Sequence, residues 1–88
     1  MVIDREYRRK VLSDFTSDMM DKLDRNAHKD EMGWPSASRK FLLGELLSEV
    51  EKLVRALEAG DREAAIDDCV DIANYAMMIA DNQRKESS

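Results

Sequence analysis

Eighty-eight residues make one small domain, which buries only about 60% of the surface that its unfolded chain exposes. Fourteen basic residues against nineteen acidic ones give a net charge of −5, a poor basis for binding a nucleic-acid polymer by phosphate neutralisation. The single Cys excludes an intrachain disulfide and a Cys/His zinc spacing. No apolar run is long enough to span a bilayer and no signal-type apolar segment is visible, so the cytoplasm is the expected compartment.

Abundant Ala, Leu, Glu, Lys, Arg and Met, with one Pro, favour helix throughout. The expected fold is all-α, one domain with helices at about 4–26, 37–59 and 62–83. The first opens at Asp4, whose carboxylate can accept from a free amide of the first turn. Val11, Leu12, Phe15, Met19 and Leu23 recur at three- and four-residue steps and make one apolar face. Arg5, Arg8, Arg9 and Lys10 crowd its start and read as a solvated surface, with phosphate contact as the alternative.

The pattern breaks over 27–38, AHKDEMGWPSAS, where Gly33 and Pro35 punctuate the chain and Ser36 or Ser38 can cap the next helix. This is long for a helical hairpin connection, and it holds the only His and the only Trp, His28 and Trp34. Two readings of Trp34 compete: a plug for the end of a bundle, or a flat surface on which a nucleobase stacks.

On the second helix Leu43, Leu46, Leu47, Val50, Leu53, Val54 and Leu57 form a continuous apolar stripe, with Glu45 and Glu49 together on one border. Gly60 can take the left-handed conformation that ends a helix, and Asp61 can cap the third. There the apolar residues from Ala65 to Ala80 cover about half the circumference, which predicts a central helix. Asp67, Asp68, Asp71, Asn74 and Tyr75 share the remaining face. A helix-dipole role covers acids in the first turn but not Asp71. Residues three or four apart on a helix are neighbours, so Glu45 with Glu49, and Asp68 with Asp71, can converge across the hairpin into a cation site.

These residues resemble the MazG-like, all-α nucleoside triphosphate pyrophosphohydrolases, a superfamily that includes the dimeric dUTPases. Its EExxE motif corresponds to Glu45-Leu46-Leu47-Ser48-Glu49, and its EExxD motif to Asp67-Asp68-Cys69-Val70-Asp71. Asn74 and the DIANYAMMIADN run are similar to short phage and archaeal members, as is a loop of the form HKxxxGW before the first motif. Leu46, Asp67 and Asp68 depart from the family's glutamates.

The resemblance implies Mg²⁺, or Mn²⁺, held by Glu45, Glu49, Asp68 and Asp71, with Glu45 or Glu49 as the base towards water. It implies hydrolysis of a (deoxy)nucleoside triphosphate to the monophosphate and pyrophosphate, a house-cleaning role in the nucleotide pool. Trp34, His28, Lys52 and Asn74 are the candidate nucleotide contacts, although Lys52 is also placed for a salt bridge to Glu49. A homodimer or tetramer is expected, since three helices cannot cover Ile66, Val70, Ala73 and Met77, or Met19 and Met20, by themselves. The alternatives are a non-catalytic nucleotide- or metal-binding relative and a purely structural helical oligomerisation module.

Overall fold

A computed structural model of the chain describes residues 2–27 and 33–86. The described residues form three helices, α1 (Arg5–Asn26), α2 (Arg39–Ala59) and α3 (Arg62–Glu86), with a 3₁₀ turn at Trp34–Ser36 before α2. There is no strand among the described residues, and no helix is long and apolar enough to cross a membrane. The all-α expectation therefore holds, and α3 is the helix on which both others pack.

Local chemistry sets the boundaries. Asp4 accepts from the Tyr7 amide at 2.8 Å and opens α1. Ser38 accepts from the Phe41 amide at 3.0 Å, so α2 begins at Arg39 and not at the expected 37. Ala37 is instead extended and closes the 3₁₀ turn through its amide on the Trp34 carbonyl. Gly60 takes the left-handed conformation (φ 70°, ψ 22°), and the Asp61 amide bonds back to the Ala56 carbonyl at 2.9 Å. Asp61 then caps α3 through the Ala64 amide at 3.1 Å. α3 runs to Glu86, beyond the expected end at 83; Arg84 and Lys85 lie in its last turn, where cations suit the helix dipole.

α2 and α3 form an antiparallel hairpin, and α1 rests mainly on α3. The resulting molecule is open. Its radius of gyration is 14.7 Å, against about 12 Å for a compact chain of this length. The apolar core is thin: Leu42, Ala56, Ala65 and Val70, of which Leu42 at 2% exposure is the most enclosed. α1 has no buried residue at all.

Two expectations about faces need correction. The buried line of α2 is Leu42, Glu49 and Ala56, with Leu46 and Leu53 half-buried beside it. Leu43, Leu47, Val50, Val54 and Leu57 from the expected core stripe are exposed. On α3, Val70 is buried and Ala73 and Met77 half-buried, leaving Ile66 as the exposed member of that set. On α1 Met20 is exposed and Met19 half-buried. The larger uncovered apolar surface thus lies on α2, because α1 leans mainly on α3.

Candidate metal centre

Three polar residues are as buried as the apolar core: Glu49 (8% exposed), Asp68 (9%) and Asn74 (4%). Glu49 comes from the centre of α2, and Asp68 with Asp71 from successive turns of α3 facing it. Glu49, Asp68 and Asp71 each offer a carboxylate oxygen within 4.8 Å of the others. Unit like charges at that separation repel by on the order of 3 kcal/mol per pair at an effective dielectric near 20. Such a group is tolerable only with positive charge nearby.

Part of that charge comes from α1. The Lys22 ammonium lies 2.6 Å from Asp67 and 3.2 Å from Asp71. Burial alone would lower its pKa, but the hydrogen bonds and charges of the two aspartates outweigh burial and raise it. Lys52 gives a second, more exposed cation, 3.3 Å from Glu49 Oε1. Glu49 Oε2 remains buried with no hydrogen-bond partner. A buried carboxylate oxygen without a donor is costly, and an oxygen-seeking cation would satisfy it.

Three of the four expected ligands therefore converge. Glu45 stands one turn before Glu49, outside the trio, and accepts from the Tyr75 hydroxyl at 3.4 Å. Burial, followed by the charges of Glu45, Glu49 and Asp71, raises the pKa of that phenol and keeps it a proton donor at neutral pH.

Next to the trio is a groove of about 930 Å³. Its floor is Asp71, Asn74, Tyr75 and Met78 of α3; Lys22, Leu23 and Asn26 of α1 form one side, and Phe41 and Leu42 of α2 the other. Trp34 and Ala37 close one end. Asp71 belongs to both the trio and the groove. A cavity of this size with aromatic walls and a few polar groups suits a small organic ligand.

Trp34 lines the groove and is tied to α3 by two bonds. Its indole N–H donates to Asp81 at 3.0 Å, and its carbonyl accepts from the Asn82 amide group at 3.1 Å. The Asn74 amide nitrogen donates to the Met19 carbonyl at 3.2 Å and so holds α1, while its carbonyl oxygen is buried without a partner. Lys52 is engaged with Glu49 as described. His28 lies outside the described residues.

Tyr75 is expected on the acidic face of α3; Lys22 and Phe41 are additions from the structure. The available signal for Lys22 was a lysine interrupting the Phe15–Met19–Leu23 face; for Phe41 there was only its helical register.

Hydrogen bonds from Lys85 and Trp34 hold the Asp81 carboxyl below its ordinary range. The fold favours the charged form, so its contribution is complete above the ordinary Asp value and is lost as pH falls through the lowered one. Trp34, the only tryptophan, should report this as an acid fluorescence step below about pH 4. Asp81→Asn should lack the step; an identical acid transition in that variant would show that the indole is held by other means.

No family model, no curated protein and no solved structure matches the chain.

Proposed function

We propose that the protein is a metal-dependent nucleoside triphosphate pyrophosphohydrolase of the MazG-like kind, with Mg²⁺ as its expected ion. The observation that carries this reading is the convergent carboxylate trio, with Glu49 and Asp68 buried, Asp71 half-buried and one Glu49 oxygen unpartnered, at the edge of an aromatic-walled groove. The donor set is all oxygen, which suits Mg²⁺ or Mn²⁺ and not a thiolate-seeking metal. Glu49, Asp68 and Asp71 would hold the ion; when bound, it supplies positive charge beside a polyphosphate and favours ionisation of water.

The chain's own groups divide the remaining work. Glu45, outside the trio and held by the Tyr75 hydroxyl, would accept the proton of the attacking water. Water adds to the α-phosphorus, the α–β phosphoanhydride bond breaks, and pyrophosphate leaves. Lys22 presents an ammonium on the groove wall, where polyphosphate oxygens can share it with Asp67 and Asp71. Trp34, Phe41 and Tyr75 offer apolar faces to the base and sugar.

The test is release of pyrophosphate across a panel of ribo- and deoxynucleoside triphosphates with and without Mg²⁺. Equimolar monophosphate and pyrophosphate is the expected product pair. Trp34→Ala should weaken nucleotide binding by about 1–3 kcal/mol, the value of one base-stacking contact. Unchanged affinity with a lowered melting temperature would make Trp34 a plug. One observation favours the structural alternative: the Lys22 ammonium already neutralises part of the cluster. Under that reading Mg²⁺ has no effect on stability and no nucleotide is hydrolysed.

A further inference from the structure

Glu49, Asp68 and Asp71 converge, and Asp67 joins them through Lys22. By number, four carboxylates can hold two dications, which in two-metal sites stand about 3.5–4 Å apart. The arrangement of the lysines decides how many this cluster holds.

One of the two places is already taken. Asp67 and Asp71 stand one turn apart on α3, so a single cation can bridge both. The Lys22 ammonium does so, 2.6 Å from Asp67 and 3.2 Å from Asp71. This is unlike a loose surface pair, since the Lys22 side chain is only 17% exposed and arrives from another helix. On the other side of the trio Lys52 engages Glu49 Oε1. Glu49 itself is buried, and its Oε2 has no hydrogen-bond partner. What remains open to a cation is the space where Glu49 Oε2, Asp68 and Asp71 meet.

Charge leads to the same count. Glu49, Asp67, Asp68 and Asp71 carry four negative charges, and Lys22 and Lys52 offset two of them. One dication balances the remainder. A second would leave excess positive charge in a partly buried place, which is costly.

We infer that the protein alone holds one dication per chain, between Glu49, Asp68 and Asp71, and that the Lys22 ammonium fills the place of a second. The inference rests on the proposed metal reading and fixes its stoichiometry. An ammonium neutralises charge and donates hydrogen bonds, but it offers no coordination position and cannot activate a water as a metal does. Water activation is thereby confined to the Glu49 side of the cluster, one turn from Glu45.

Mn²⁺ titration of the nucleotide-free full chain, followed by electron paramagnetic resonance, tests it. Salt at about 0.1 M screens loose binding to the acidic surface. The wild type should take up one Mn²⁺ per chain, with the spectrum of an isolated ion. Lys22→Met removes the charge and keeps an unbranched side chain; it should take up two, and the pair should show an exchange-broadened signal because it shares Asp71. Adding Asp67→Asn to Lys22→Met should return the count to one. Lys22→Arg, which keeps a cation there, should stay at one. Circular dichroism checks that each variant is folded, and Lys22→Gln serves the same purpose should Lys22→Met fail to fold. Two Mn²⁺ in the wild type, or one in the folded neutral variants, overturns the inference and leaves the metal centre standing. No Mn²⁺ in the wild type overturns the metal reading together with the inference.

Discussion

With the proposed site, Mg²⁺ should raise the melting temperature of the wild type, and Asp71→Asn should abolish that rise. Binding to the folded state at about a hundred times the dissociation constant stabilises by about 2.7 kcal/mol. For a domain of this size that corresponds to roughly 10–20 °C. Asp71 is chosen because it joins the trio to the groove. Replacing it with a neutral isostere removes a ligand charge but keeps the side-chain volume. Asp61→Asn is the control, since Asn caps a helix about as well as Asp and residue 61 is distant from the cluster. Asp67→Asn is the second control: it weakens the Lys22 pair and leaves the trio whole, so the Mg²⁺ response should persist. Equal Mg²⁺ shifts in wild type and Asp71→Asn would remove the metal assignment, whatever the nucleotide assays show.

Leu42→Ala should be the most destabilising single truncation on α2. Leu42 is the most enclosed apolar residue, and it borders both the main groove and a smaller cavity of about 230 Å³ beside Pro35, Arg39 and Ile79. Removing its isobutyl group joins the two spaces and deletes the main apolar tie between the start of α2 and the end of α3. Buried Leu→Ala changes cost about 2–5 kcal/mol, which here means a melting temperature lower by roughly 10 °C or more. Urea unfolding gives the free-energy change directly. Leu47→Ala is the comparison: its side chain is exposed, and its removal should be nearly neutral.

The helix ends were legible because capping is local. Asp4, Ser38, Gly60 and Asp61 each act on amides or carbonyls a few residues away, and each does so in the structure. The hairpin likewise brought Glu49, Asp68 and Asp71 together as their register predicts. What failed was the facing of α2. Its Leu and Val residues supply two adjacent apolar surfaces with the same period, and nothing in the period tells which one meets α3. Glu49 was the clue: a carboxylate in line with Leu42 and Ala56 marks the face that holds the cluster. Lys22 and Asp81 escaped notice for a different reason. Their partners, Asp71 and Trp34, lie 49 and 47 residues away, and pairings at that range depend on how α1 and the 3₁₀ turn settle on α3.

The Lys22 bridge has a consequence for how α1 and a cation share the cluster. The polar ties of α1 to α3 include the Lys22 ammonium on Asp67 and Asp71 and a hydrogen bond from the Asn74 amide to the Met19 carbonyl. For any dication that takes Asp71 as a ligand, this ammonium is a tethered competitor, present at an effective concentration fixed by the chain and never diluted away. Apparent metal affinity then reflects how firmly the first helix docks as well as the geometry of the carboxylates. Every contact that tightens α1 raises the threshold for loading, and every one that loosens it lowers that threshold. Reciprocity requires that loading, in turn, weaken the hold on α1. If the proposed cation site is filled, one lysine would couple the position of a whole helix to its occupancy.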